Sequence, residues 1–160
     1  MEFIPIPRVA LGKVIGLLEV LDDLGGRENG FRLAVSLQIE FGELILVIKA
    51  AEMLDLVQTP GTEVVLTGRG KELLLQDING RKKIVKRQLL RLPTFRLIVD
   101  ILKAQPERKM PYDTIVDVLV THLPEEDPGR LARAIIDWGR FGELVGYNSR
   151  TGTVYLDQEE

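Results

Sequence analysis

The chain has 160 residues, 45% of them hydrophobic, and no cysteine. That apolar content suits one domain or two small ones and excludes global disorder, and the missing thiols exclude disulfides and thiolate metal sites. Lys and Arg total 21 against 24 Asp and Glu, a net charge of −3, which weighs against a protein dedicated to nucleic acid.

Met1 to Pro7 holds an early acid, two prolines and no long apolar run, so no signal peptide is expected. The densest apolar run, Leu44 to Ile48, is far short of the roughly 20 residues a bilayer demands. The expectation is a soluble, cytoplasmic chain without direct membrane insertion.

Leu11, Val14, Ile15, Leu18 and Leu21 share one face at helical spacing, so Leu11 to Leu24 reads as a helix that Gly25-Gly26 stops. Phe31 to Leu37 is a short second helix. Glu43 to Met53 is a third, with Leu44, Val47, Ile48 and Ala51 inward. Leu54 to Gln58 and Glu63 to Leu66 form a hairpin whose turn is Thr59-Pro60-Gly61-Thr62. Thr67 can cap a helix that starts near Arg69 and reaches Leu92, with Asn79-Gly80 as its weak point and Pro93 as its end.

The order then repeats. Phe95 to Ala104 and Pro111 to Leu123 are helical, and Asp127-Pro128 is a strong start for the next helix, whose inward stripe is Leu131, Ile135 and Trp138. Leu144 to Asn148 and Thr153 to Asp157 close the chain as a hairpin. Helix, helix, helix, hairpin is the winged-helix plan. The sequence therefore predicts a mainly α fold with small β-hairpins (α+β): winged-helix units at 8–68 and 94–158, joined by a long helix at 69–93. A single mixed α+β domain without a repeat is the alternative.

Bond-making chemistry has little to work with. His122 is the only histidine and sits at a helix end, so no metal ligand set is expected, and no cofactor. Ser36 and Ser149 lack the turn that exposes a nucleophile, so no catalytic residue is assigned. Thr67-Gly68-Arg69-Gly70-Lys71 looks like a phosphate loop. However, Val65 stands where the first glycine belongs, and Glu72 replaces the metal-binding hydroxyl. The expectation is no enzyme.

Surfaces are more informative. Leu46, Lys49, Ala50 and Met53 line the outward side of the third helix, which suits protein contact better than phosphate. Arg81, Lys82, Lys83, Lys86, Arg87 and Arg91 form a run without an intervening acid. It reads equally as an electropositive face for an anionic partner or as a solvated helix. In the second unit Arg130, Arg133 and Arg140 recur at helical spacing and Arg150 sits on the wing, a candidate nucleic-acid face. Asp137 lies within one turn of Arg133 and Arg140 and is expected to pair with either.

The block Asp137-Trp138-Gly139-Arg140-Phe141-Gly142-Glu143-Leu144, with Tyr147 after it, carries a resemblance. So do Ala50-Ala51-Glu52-Met53-Leu54, Leu66-Thr67 with Gly70, and Arg81-Lys82-Lys83. Together they resemble the AAA-associated C-terminal domain found behind the ATPase subunit of nitrate/sulfonate/taurine-type ABC transporters. The resemblance implies an accessory, regulatory, non-catalytic module whose partner is a transporter ATPase. No ATPase precedes this region here, so that partner is expected in trans or as a lost fusion, with a homodimer as a further partner. Asp137, Trp138, Gly139, Arg140 and Glu143 carry the family signature and are read as structural, with Trp138 anchoring the second core and Asp137 and Arg140 ion-paired. A winged-helix transcription regulator reading DNA is the alternative function. A sensor of small anions is the third.

Overall fold

Helical spacing of apolar residues governs most of the chain, and the computed structural model, which describes residues 3–157, follows it closely. Eight α-helices and two three-stranded antiparallel sheets give a mainly helical α+β fold among the described residues. The chain divides into an N-terminal unit, Val9–Arg81, and a C-terminal unit, Met1–Arg8 with Lys82–Glu160.

The N-terminal unit runs α1 (Leu11–Asp23), β1 (Arg27–Asn29), α2 (Gly30–Leu37), α3 (Phe41–Met53), β2 (Val57–Gln58), β3 (Glu63–Leu66) and α4 (Gly68–Leu74). Its sheet order is β1-β3-β2, with Arg27 opposite Val65 and Val57 opposite Leu66. Leu17, Leu18, Leu21, Leu33, Leu44 and Leu54 are fully buried and form its core. Next comes α5 (Ile78–Leu89), and the division between units falls inside it.

The C-terminal unit continues with α6 (Pro93–Lys103), β4 (Lys109–Pro111), α7 (Tyr112–His122), α8 (Pro128–Phe141), β5 (Val145–Asn148) and β6 (Thr153–Leu156). Its sheet order is β4-β6-β5. Trp138 and Phe95, each 1% exposed, are the largest side chains of its core. Asp127 caps α8 as its sequence demands, its carboxylate accepting from the amides of Gly129 at 3.0 Å and Arg130 at 3.2 Å.

The repeated order of three helices and a hairpin is present in both units, and each has one strand more than expected. β1 and β4 are edge strands of three residues, Arg-Glu-Asn and Lys-Met-Pro; they pair along the free sides of β3 and β6, and only Met110 of the six is buried. The long helix expected over 69–93 is a correction: α4 and α5 are separate. The break lies at Leu75, Gln76 and Asp77, ahead of the suspected Asn79-Gly80. Asp77 starts a new helix there, its carboxylate accepting from Gly80 N at 2.7 Å. Pro93 opens α6 at its first position, where its missing amide costs nothing.

Gly70 shows how tightly α4 is seated. A Cβ there would lie 2.4 Å from the Leu56 carbonyl oxygen and 2.7 Å from Leu66 Cδ1, whereas one on Gly16 in α1 would meet nothing within 4 Å. Gly70→Ala is expected to destabilise the N-terminal unit by about 1–3 kcal/mol. Gly16→Ala should stabilise it by up to ~1 kcal/mol. Urea unfolding followed by far-ultraviolet circular dichroism checks both signs.

Candidate functional site

The exposed side of α2 and α3 is unusually apolar. Phe31, one residue into α2, is 68% exposed and stacks on Phe41, the first residue of α3, with ring centroids 4.6 Å apart and planes 12° from parallel. Ile45 follows Phe41 by one turn and is 46% exposed. Across from them stands the β2–β3 hairpin. Together they wall a groove of about 400 Å³ floored by Ile48 and Val64, with Lys49 and Glu52 at its rim. Asn29 fixes one edge by capping α2, its side chain accepting from Phe31 N at 2.8 Å.

The outward line expected on α3 is only partly present. Leu46 is 44% exposed and Lys49 is exposed, but Met53 is half-buried. Ala50 is a correction: it is fully buried, because the inward face of α3 is wide enough to take in Ala50 beside Val47 and Ala51. Phe31, Phe41 and Ile45 were missed. Their signal was present in the sequence, since each is a large apolar residue off the Leu33–Ala34 and Leu44–Val47–Ile48 stripes.

The basic run disperses when folded. Arg81 is structural: its guanidinium lies 3.6 Å from the Glu19 carboxylate and donates to the carbonyls of Gln76 at 3.2 Å and Leu74 at 3.3 Å. Lys82 lies 3.8 Å from Glu143. Lys86 is half-buried at a separate cleft, while Lys83 and Arg87 are exposed. Ile84, Val85 and Leu89 seat the other side of α5 in the core, as expected.

That cleft lies wholly in the C-terminal unit and measures about 750 Å³. Leu90, Val99 and Leu144 are among its apolar lining; Lys86, Lys103 and Arg108 bring positive charge. Glu107 at its edge accepts from Lys109 at 2.8 Å, and this ammonium holds the carboxyl below its ordinary pKa.

The signature block packs the corner between α8 and β5. Trp138 is buried, and a Cβ on Gly139 would come within 2.6 Å of Val145 Cγ2. A Cβ on Gly142 would press on the Lys86 backbone at 3.3–3.4 Å. Glu143 takes φ 56°, the left-handed turn that ends the helix. Asp137 and Arg140 are exposed, and the expected ion pair between them is absent, as is one between Asp137 and Arg133. The reason is geometric freedom: all three side chains extend into solvent from α8, where such a pair gains little. Arg130 instead lies 4.0 Å from Asp127. Arg150 is exposed at the β5–β6 turn.

His122 is exposed in the last turn of α7, its ring Nδ1 2.9 Å from the Val118 carbonyl oxygen. Among the described residues no group of three or more His, Asp or Glu side chains gathers to hold a metal, and no helix is long and apolar enough to cross a membrane.

Arg81→Ala should cost about 1 kcal/mol by removing an ion pair and two capping contacts, while Lys83→Ala stays within ~0.5 kcal/mol of the parent. Thermal denaturation of the two variants measures the difference.

A family described as the C-terminal AAA-associated domain matches residues 31–148. No curated protein and no solved structure gives a significant match.

Proposed function

We propose that this chain, which belongs to the C-terminal AAA-associated domain family, is a non-catalytic accessory module that docks on an ATPase subunit and regulates it. The finer reading is a cytoplasmic partner of a nitrate/sulfonate-type ABC transporter ATPase. In that reading each unit is a winged helix, with α3 and α8 as third helices and the hairpins as wings.

The observation that carries the docking face is the stacked, solvent-facing Phe31–Phe41 pair. The surface that Phe31, Phe41 and Ile45 leave in water gains nothing for this fold; covering it with a partner does. Aromatic anchors set in a groove with a polar rim are the usual energetic centre of a protein interface. The shallow groove and the scarcity of nucleophiles favour a partner over a substrate.

One observation keeps the DNA reading as a second proposal. Because Asp137 does not neutralise Arg133 or Arg140, the exposed side of α8 retains its arginines. If three of them meet phosphates, affinity for duplex DNA falls with salt at a log-log slope of about −3. A flat response, or no binding at low salt, removes this reading.

Phe31→Ala is expected to leave the melting temperature unchanged, since the side chain is mostly exposed, yet to weaken capture of the cognate ATPase about thirtyfold. Charge reversal at Lys83 and Arg87 should have a smaller, salt-sensitive effect. Quantitative co-purification of full-length chain with the ATPase measures both. Equal recovery by Phe31→Ala and the parent would overturn the proposed docking face.

A further inference from the structure

The two units match hydrogen bond for hydrogen bond at the end of the last hairpin strand, β3 in one and β6 in the other. Leu66 N donates to Gly26 O at 2.8 Å, and Leu156 N to Arg108 O at 2.9 Å. Thr67 N donates to Leu56 O at 3.1 Å, and Asp157 N to Leu144 O at 3.0 Å. Leu56, Leu66 and Thr67 in one unit therefore occupy the places of Leu144, Leu156 and Asp157 in the other.

What covers those places differs. In the N-terminal unit Thr67 caps α4, its hydroxyl accepting from Gly70 N at 3.0 Å, and α4 lies directly over Leu56 and Leu66. Leu73 of that helix is fully buried, and Leu66 is only 4% exposed. In the C-terminal unit no described helix takes this position. The 750 Å³ cleft is there instead, and Leu156 is half-buried.

The lining of the cleft specifies the chemistry of its occupant. Its apolar side offers Leu90 and Leu156, both half-buried; Leu156 is the counterpart of Leu66, which α4 covers, while Leu144, the counterpart of Leu56, is already only 3% exposed. Its charged side offers Lys103 and Arg108, both exposed, and neither in an ion pair among the described residues. Glu107 is engaged with Lys109, which leaves Asp157 as the remaining carboxylate of the lining. Where the N-terminal unit has Gly26 at φ 95°, this unit places an arginine at φ 55°, and its side chain faces the cleft.

We propose that the cleft docks a short amphipathic helix of a partner protein, seated as α4 is seated in the other unit. Leucine-type side chains of that helix cover Leu90 and Leu156, and its carboxylates meet Lys103 and Arg108.

The probe is a synthetic peptide of about fourteen residues, about four helical turns when bound, with leucines at i, i+3 and i+4 spacing flanked by glutamates. A twin carries lysines in place of the glutamates. The acidic peptide is expected to bind the full chain about tenfold tighter than the twin and to shift amide resonances of α6, Arg108, Leu144 and Leu156. The double variant Lys103→Glu, Arg108→Glu, whose changes lie on exposed side chains, should reverse the preference without changing the melting temperature. Equal binding of the two peptides, no binding, or shifts confined to the Phe31–Phe41 groove would each overturn the proposal. Binding that appears only when the chain is cut after Asp157 would do the same, by showing its own tail to be the occupant. None of these readouts involves an ATPase, so they stand apart from the test of the docking face.

Discussion

Everything in each unit depends on how sharply the chain turns from its third helix into its hairpin. In the C-terminal unit Gly142 N closes on Trp138 O at 3.1 Å and Leu144 N reaches back to Gly139 O at 2.8 Å, with Glu143 left-handed between them. In the N-terminal unit Leu54 N closes on Ala50 O and Leu56 N on Ala51 O, with Asp55 left-handed at φ 60°. This corner satisfies the last helical carbonyls and folds the first strand back along the helix that precedes it. The groove beside α3 and the leucine floor beside β6 are both products of that reversal. Neither Asp nor Glu is the cheapest residue at a left-handed position, where glycine carries no steric cost. The surrounding contacts hold them there.

Much of this was legible because burial has a period. The stripe Leu44–Val47–Ile48 marks α3 to its last residue, two residues late at its start, and Asp127-Pro128 with the stripe Leu131–Ile135–Trp138 marks the start and buried side of α8. The three-residue edge strands β1 and β4 left no such mark, since three residues are too few to show a period and their pairing follows the free sides of β3 and β6. The break before α5 was misplaced because a glycine in a helix is tolerated, whereas an aspartate able to cap starts the helix afresh. Ala50 was assigned outward by spacing alone, but a small side chain on the boundary of a stripe is where a close-packed neighbour fits.

The candidate site was harder to read than the fold. Periodicity finds residues that face inward, and a docking face is made of the apolar residues left over. Phe31 and Phe41 lie on different helices, and only the fold stacks them. The basic run failed as a unit for the complementary reason. Adjacent charges on a helix point in different directions, so Arg81 serves Glu19 and two carbonyls while Lys82 reaches Glu143 and Lys83 meets water. Charge is also unequal between the units: Val9–Arg81 holds 7 Lys and Arg against 11 Asp and Glu, whereas the rest of the sequence holds 14 against 13. The overall acidity belongs to the unit with the aromatic groove, and the cationic cleft to the other.

Trp138 has a spectroscopic corollary. It is the only indole, and all three tyrosines, Tyr112, Tyr147 and Tyr155, share its unit. Ultraviolet absorption near 280 nm and intrinsic emission therefore come from one half of the polypeptide, and Val9–Arg81 contributes only the weak bands of its phenylalanines. A melt followed by fluorescence would look two-state even if the halves came apart at different temperatures. The aromatic-poor half can be seen only through its backbone or an added label.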